Sequence, residues 1–235
     1  MQIRVASYNV HKGVGTDRAR RPDRILDVLR EIDADIVALQ EADRRFGARV
    51  AVIAPDAILG TTDYVPVALA EWPHSLGWHG NALLIRKRND VAACARIALP
   101  TLEPRGAVVA DIATAAGPLR IVGMHLDLSG LRRSVQAQAI VRYCADCPPM
   151  PTVLMGDLNE WSLHGGCLRA FATGFAQVPL EPSFHSRRPL ARLDRIMVSP
   201  HFRVIASGVH RSATARVASD HLPVWADLEL TDAHV

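Results

Sequence analysis

Aromatic residues supply only 5% of this 235-residue chain, too few for a surface built on repeated base stacking. Lysine is almost missing: Lys12 and Lys87 are the only two, so arginine carries the basic character. Neither sign of charge dominates, and a formal net charge of +3 is too small to argue for a nucleic-acid partner by itself. No apolar run approaches the ~18–20 residues of a membrane-spanning helix. The opening MQIRVASYNV lacks a charged stretch followed by an apolar core, so it reads as a strand and not as a secretory signal. A cytoplasmic location is therefore the expectation. The cysteines are Cys94, Cys144, Cys147 and Cys167. The C-x-x-C at 144–147 ends a helical pattern just before Pro148 and Pro149 and has no second ligand pair, which argues against a zinc or redox site and for reduced thiols. Repeats, low-complexity tracts and linkers are also lacking, so the chain reads as one domain over residues 1–235.

What the chain has is apolar content, 49%, enough for a large core. Residues 2–9 read as a strand. From Pro22 to Ile32, Ile25, Val28, Leu29 and Ile32 fall at helical spacing, with Pro22 at a favoured helix start. DIVALQ (35–40) is a strand covered on both faces. Residues 42–78, with three prolines and several glycines, suggest a short helix mixed with loop. The runs NALLIR, VAACARIAL, GAVVADIAT and LRIVGMH then read as strands, with a tight turn at Gly117–Pro118. A helix over about 131–145, the buried strand TVLMGD and a short helix in LHGGCLRAFATGF follow. RLDRIMVS, FRVIASGVH and PVWADLEL close the chain as strands. Strands outnumber helices and several can be joined by short turns. That predicts an α+β protein with a mixed or antiparallel β-core and helices outside.

Six of the strand-like runs meet a polar side chain at one end: Asn9, Glu41, His125, Asp157 with Asn159, Asp194, and Asp220 with His221. Buried strands are filled with Val, Ile and Leu, and loops at strand ends collect functional residues. Converging, these ends would make a cluster of carboxylates, amides and imidazoles suited to a hard divalent cation and phosphate chemistry. In GDLN, Gly156 permits a tight turn, and Asp157 and Asn159 fall on one side of an extended segment. One could orient a water while the other holds a phosphate oxygen; an Asx-turn closing the strand is the alternative. In SDHLPV, adjacent side chains point oppositely, so Asp194 is a better partner for His221 than Asp220 is.

SYNVHKG, LQEAD, HGNALL, PRGAVVADI, MHLDL with R-x-x-Q downstream, MGDLNEW, LDRIMVS and SDHLPV occur in this order. Together they resemble the endonuclease/exonuclease/phosphatase superfamily of DNase I-like proteins over nearly the whole chain. The resemblance implies a four-layer α/β/β/α sandwich, with two mixed β-sheets packed face to face and helices outside. It also implies hydrolysis of a phosphodiester with Mg²⁺, or Mn²⁺ as a substitute. Carried over by motif, Glu41 would ligate the metal, Asn9 would hold Glu41, and Asp220 would support the metal or a second one. Asp157 would orient or deprotonate the attacking water, and Asn159 would bind phosphate and steady Asp157. His125 would contact the scissile phosphate. His221, oriented by Asp194, would stabilise the transition state or act as acid or base. His11, Lys12, His79, Asn81 and Arg105 would face the substrate. His11 stands where abasic-site endonucleases carry an Asp, and the chain is too lean for long DNA-clamping insertions. The expected partner is a phosphodiester in nucleic acid or a phospholipid head group. An endo- or exonuclease-type hydrolase leads. A phospholipid or sphingomyelin-type phosphodiesterase, a small-molecule phosphatase and a catalytically silent binding module are the alternatives.

Overall fold

The apolar runs close into two six-stranded mixed sheets in the computed structural model, which describes residues 2–100 and 105–231. The first sheet contains β1 (Gln2–Asn9), β2 (Ile36–Gln40), β3 (Tyr64–Pro66), β4 (Ala82–Arg86), β11 (Phe202–Val209) and β12 (Val224–Leu230), in the order β11-β12-β1-β2-β4-β3. The second contains β5 (Asp90–Ile97), β6 (Gly106–Thr114), β7 (Gly117–His125), β8 (Thr152–Asp157), β9 (Ala176–Gln177) and β10 (Asp194–Val198), in the order β5-β6-β7-β8-β10-β9. β1 and β2 run parallel, as do β7 and β8; the other pairs are antiparallel. The sheets pack face to face through β1 and β2 against β7, β8 and β10, as the resemblance implies.

Strand alternation explains the layers. Ile3 and Val5 of β1, Ile36 and Ala38 of β2, Ile121 of β7, Val153 and Met155 of β8, and Ile196 of β10 share the core between the sheets. The opposite face of the first sheet, with Ala6, Tyr8, Val37 and Leu39, packs on α1 (Pro22–Ile32) and on α5 (Ala213–Ala218). The opposite face of the second, with Val122, Met124, Leu154 and Met197, packs on α3 (Gly130–Asp146) and α4 (Leu168–Phe171). Sandwiching on both sides is why β2 and β8 are apolar without alternation. Among the described residues, α2 (Pro55–Thr61) and β3 are the regular elements within 42–78. Three helices or strands were not anticipated from sequence: the short strand β3, α5, whose RSATARVAS has no clear apolar stripe but is capped by Ser212 Oγ on Ala215 N, and the two-residue β9.

The same alternation positions the polar strand ends. Asn9 is in phase with Ile3 and Val5, Asp157 with Val153 and Met155, His125 with Ile121, and Asp194 with Ile196. These four therefore continue the inter-sheet face at the rim of the core. His125, Asp157 and Asp194 also stand side by side across β7, β8 and β10, because the register pairs His125 with Asp157 and Asp157 with Asp194.

Gly156 is the point where this arrangement tolerates no side chain. A Cβ there would lie 1.9 Å from the Met124 carbonyl oxygen, a backbone atom on the neighbouring strand. Gly156→Ala is expected to destabilise the protein by about 1–3 kcal/mol, the usual cost of overpacking a filled core. The check is urea unfolding: the midpoint should fall with the slope unchanged.

Candidate active site

Asp157 is the hub. Its carboxylate is buried at the end of β8 and meets donors from several elements. Oδ2 accepts from Asn9 Nδ2 at 2.9 Å, with His125 Nε2 at 3.4 Å and His221 Nε2 at 3.7 Å. Oδ1 accepts from the Asn159 backbone N–H at 2.9 Å. Burial opposes the charged carboxylate, but His221, His125 and the Asn159 amide outweigh it and hold Asp157 well below the usual carboxylate range.

His221 has a carboxylate on each side. Nδ1 is 2.9 Å from Asp194 Oδ2 and Nε2 faces Asp157. Burial disfavours the imidazolium, yet Asp194 and Asp157 overcome this and raise His221 to about 10. At neutral pH the pair is therefore imidazolium and carboxylate. The Ser183 hydroxyl donates to the same Asp194 oxygen, and the Phe184 ring packs on the imidazole with centroids 4.8 Å apart. Ser219 Oγ donates to the Asn9 carbonyl at 2.7 Å and accepts from His221 N at 3.3 Å, fastening the loop before β12 to the end of β1. Ser183, Phe184 and Ser219 were not identified from sequence, because serines and a phenylalanine in loops carry no spacing signal.

Two expected roles are corrected here. Asn9 does not brace Glu41: its Nδ2 serves Asp157, and its Oδ1 accepts from His11 N at 3.0 Å, because the chain turns immediately into the 3₁₀ turn His11–Gly13. Asn81 does not face substrate: it is fully buried, and its Nδ2 donates to the Gly106 carbonyl at 3.1 Å, tying the turn before β4 to the start of β6. Asn159 steadies Asp157 through its backbone N–H, while its side-chain Nδ2 donates to the Leu126 carbonyl at 3.0 Å. Arg133 and Gln136 of α3 buttress the neighbouring loops. Arg133 donates to Glu160 Oε2 and to the Leu128 carbonyl, and Gln136 Oε1 accepts from Asp127 N.

Glu41 is the first residue beyond β2 and adopts a positive φ of 55°. The Lys12 ammonium pairs with Glu41 Oε2. Burial raises its carboxyl, but His125, Lys12 and His11 more than offset this and keep Glu41 below the usual range. Arg105 donates to the His125 ring. His11 Nδ1 lies 3.0 Å from the Val14 carbonyl and 3.7 Å from Asp220 Oδ1. His79 Nδ1 receives a hydrogen bond from Arg49 at 3.0 Å. Burial first, and Arg49 second, lower His79, which favours a neutral ring. His11, Lys12, Glu41, His79 and Asn159 all hold positive φ, a conformation costing a non-glycine residue about 1–3 kcal/mol. Backbone strain of this kind collects at functional sites.

A metal can be tested against this donor set. Asp157, Asp194 and His221 offer ligand-type atoms within 4.8 Å of one another, but His221 is protonated and both carboxylates are turned onto it. In that triad the carboxylates serve the imidazole rather than an open ligand position. Glu41 is different: ionised, partly exposed and already pairing with a cation, it fits a hard divalent ion with few protein ligands. Asp220, partly exposed in the loop before β12, offers another oxygen donor.

The fold recurs in known proteins. A profile of the Endonuclease/Exonuclease/phosphatase family matches residues 6–221. No curated protein matches the chain. An endonuclease/exonuclease/phosphatase family protein from Bacteroides thetaiotaomicron is similar in structure, with TM-score 0.80 at 19% identity, covering 100% of this chain and 97% of that one. A mannosyl-6-phosphatase from the same organism gives TM-score 0.76 at 21% identity, covering 96% and 99%. D. rerio TDP2 complexed with a single-strand DNA product gives 0.72 at 16% identity, covering 97% and 99%.

The ionisation of His221 depends on Asp194. In metal-free protein, Asp194→Asn is expected to move the His221 titration downward from about 10, toward the ordinary histidine range. NMR of the ring protons against pH reads this directly. The sign follows for stability: a raised histidine stabilises the fold below its unfolded value and loses that contribution as pH rises through about 10.

Proposed function

The chain belongs to the endonuclease/exonuclease/phosphatase family, and on that premise we propose that it is a divalent-metal-dependent hydrolase that cleaves a phosphoester by in-line attack of water. The observation that carries this reading is the paired state of Asp157 and His221: an ionised carboxylate and an imidazolium, with Nε2 and Oδ2 3.7 Å apart beside His125.

Asp157 has too little basicity to take a proton early, since catalytic bases work best with pKa near the operating pH. Its role is to orient the attacking water, accepting the proton as the phosphorus–oxygen bond forms. His221 supplies the compensating charge: its proton faces the developing negative charge and passes to the leaving oxygen. Asp194 keeps the ring in the orientation that presents Nε2 to the site. His125 and the Arg105 guanidinium against it offer further N–H donors for a phosphoryl oxygen. Acid–base help of this kind contributes about 10²–10⁴-fold. Mg²⁺, or Mn²⁺ in its place, held by Glu41 with Asp220 in support, would polarise the phosphoryl oxygen and stabilise the leaving oxyanion.

The substrate belongs to the phosphoester class. A nucleic-acid reading is supported by the likeness to TDP2 with its DNA product, and a small phosphate ester by the likeness to mannosyl-6-phosphatase. No described helix is long and apolar enough to cross a membrane. Hydrolysis of bis(p-nitrophenyl) phosphate and p-nitrophenyl phosphate separates diesterase from monoesterase. With Mg²⁺, Glu41→Ala, Asp157→Ala and His221→Ala are each expected to lower kcat at least ~10²-fold in protein that still folds by circular dichroism. EDTA should abolish turnover and Mn²⁺ restore it. Undiminished turnover in any two of these variants, or in EDTA, would refute the assignment.

A further inference from the structure

The segment least legible in the sequence builds the wall of a cleft beside the reacting groups. The cleft is open to solvent, and Glu41, His125, Arg44, Arg49 and Trp72 are among the residues that line it. Asp43 organises the wall. Its buried carboxylate accepts from the backbone N–H groups of Leu76 at 2.6 Å and Gly77 at 3.2 Å, clipping the 75–77 turn to the loop after β2. Arg44 N bonds the Val50 carbonyl and Val52 N bonds the Ala42 carbonyl, closing the arginine-bearing turn on itself.

The wall carries guanidiniums that the reaction described above does not use, Arg44 and Arg49 among them. Among the described residues, the carboxylates lining the cleft are Glu41 and Asp43. Glu41 is paired with Lys12, and Asp43 faces main-chain amides while burial pushes its carboxyl up. Arg49 donates to His79 and also lies near enough to Asp43 to act against the upward push on that carboxyl. Glu71 is close enough to act on His79 but does not line the cleft. The cleft thus brings the Arg44 and Arg49 guanidiniums together with Trp72, whose indole is left 48% exposed. Guanidinium recognises phosphate oxygens through paired N–H donors, and an exposed indole gives the rest of a ligand an apolar face.

We propose that this cleft is a subsite for a second phosphate, so that the substrate is a small phosphoester carrying another phosphate group besides the scissile one. The proposal rests on the phosphoester reading of the neighbouring site but concerns binding, and it is tested without catalysis. Isothermal titration of the full chain in EDTA compares adenosine 3′,5′-bisphosphate with adenosine 5′-monophosphate, and fructose 1,6-bisphosphate with fructose 6-phosphate. At least one bisphosphate should bind tenfold or more tightly than its monophosphate. That advantage should shrink to less than threefold in both Arg44→Ala and Arg44→Glu, whose folding is verified by thermal melting. With Mg²⁺ present, the same substitutions should raise KM for the preferred bisphosphate more than they lower kcat. Equal binding of both members of each pair overturns the proposal, as does an advantage that survives both substitutions. A single-stranded oligonucleotide without terminal phosphate that binds as tightly, with the same dependence on Arg44, also overturns it, in favour of a nucleic-acid backbone. Failure of hydrolysis together with a retained bisphosphate advantage would instead count against the phosphoester reading alone.

Discussion

A buried anion, the Asp157 carboxylate, holds the two halves of the active end together. It grows from the second sheet, yet it is satisfied by Asn9 from the first sheet and faces His221 from the loop entering β12. Removing a carboxylate from water costs several kcal/mol, and that cost is met only if every partner is in place. The rim of the inter-sheet core is therefore a structural joint at the same place where the polar groups cluster. Any change that slides one sheet against the other separates Asn9 from Asp157 and leaves charge uncompensated.

The strands were legible because their apolar runs are long and because polar residues stop them abruptly. β2 and β8 read as strands covered on both faces, and the helices beyond each sheet explain why. The convergence of Asn9, His125, Asp157 and Asp194 was also legible in principle, since strand parity assigns all four to one face. What parity cannot reveal is the hydrogen bond that each amide chooses. Asn9 turns to Asp157 and not to Glu41 because the 3₁₀ turn captures its oxygen, and nothing in SYNVHKG encodes that choice locally. Asn81 sits within a family-like motif yet is used to join one sheet to the other.

The cleft wall was illegible for a different reason. Residues 42–78 have little regular structure, and their order comes from single long-range contacts such as Asp43 to the Leu76 and Gly77 amides. Such contacts have no period. The helix α5 hid similarly: it is short, rich in alanine and fixed largely by its Ser212 cap. Composition misled least where it was used least, since the mild net charge conceals a locally cationic cleft.

The pairing of β1 with β12 carries a consequence for how the molecule comes into being. Gln2 faces Glu229 and Ser7 faces Val224 across one ladder, so the earliest strand borders one of the last. Such distant neighbours meet late, because closing so large a loop must precede any gain from the pairing. During synthesis β1 can enlist β2 at once, while its other flank stays bare until β12 has left the ribosome. The His221 ring meets Asp194 and Asp157 only when the loop entering that strand is in place, so the cluster assembles late in the folding of this domain.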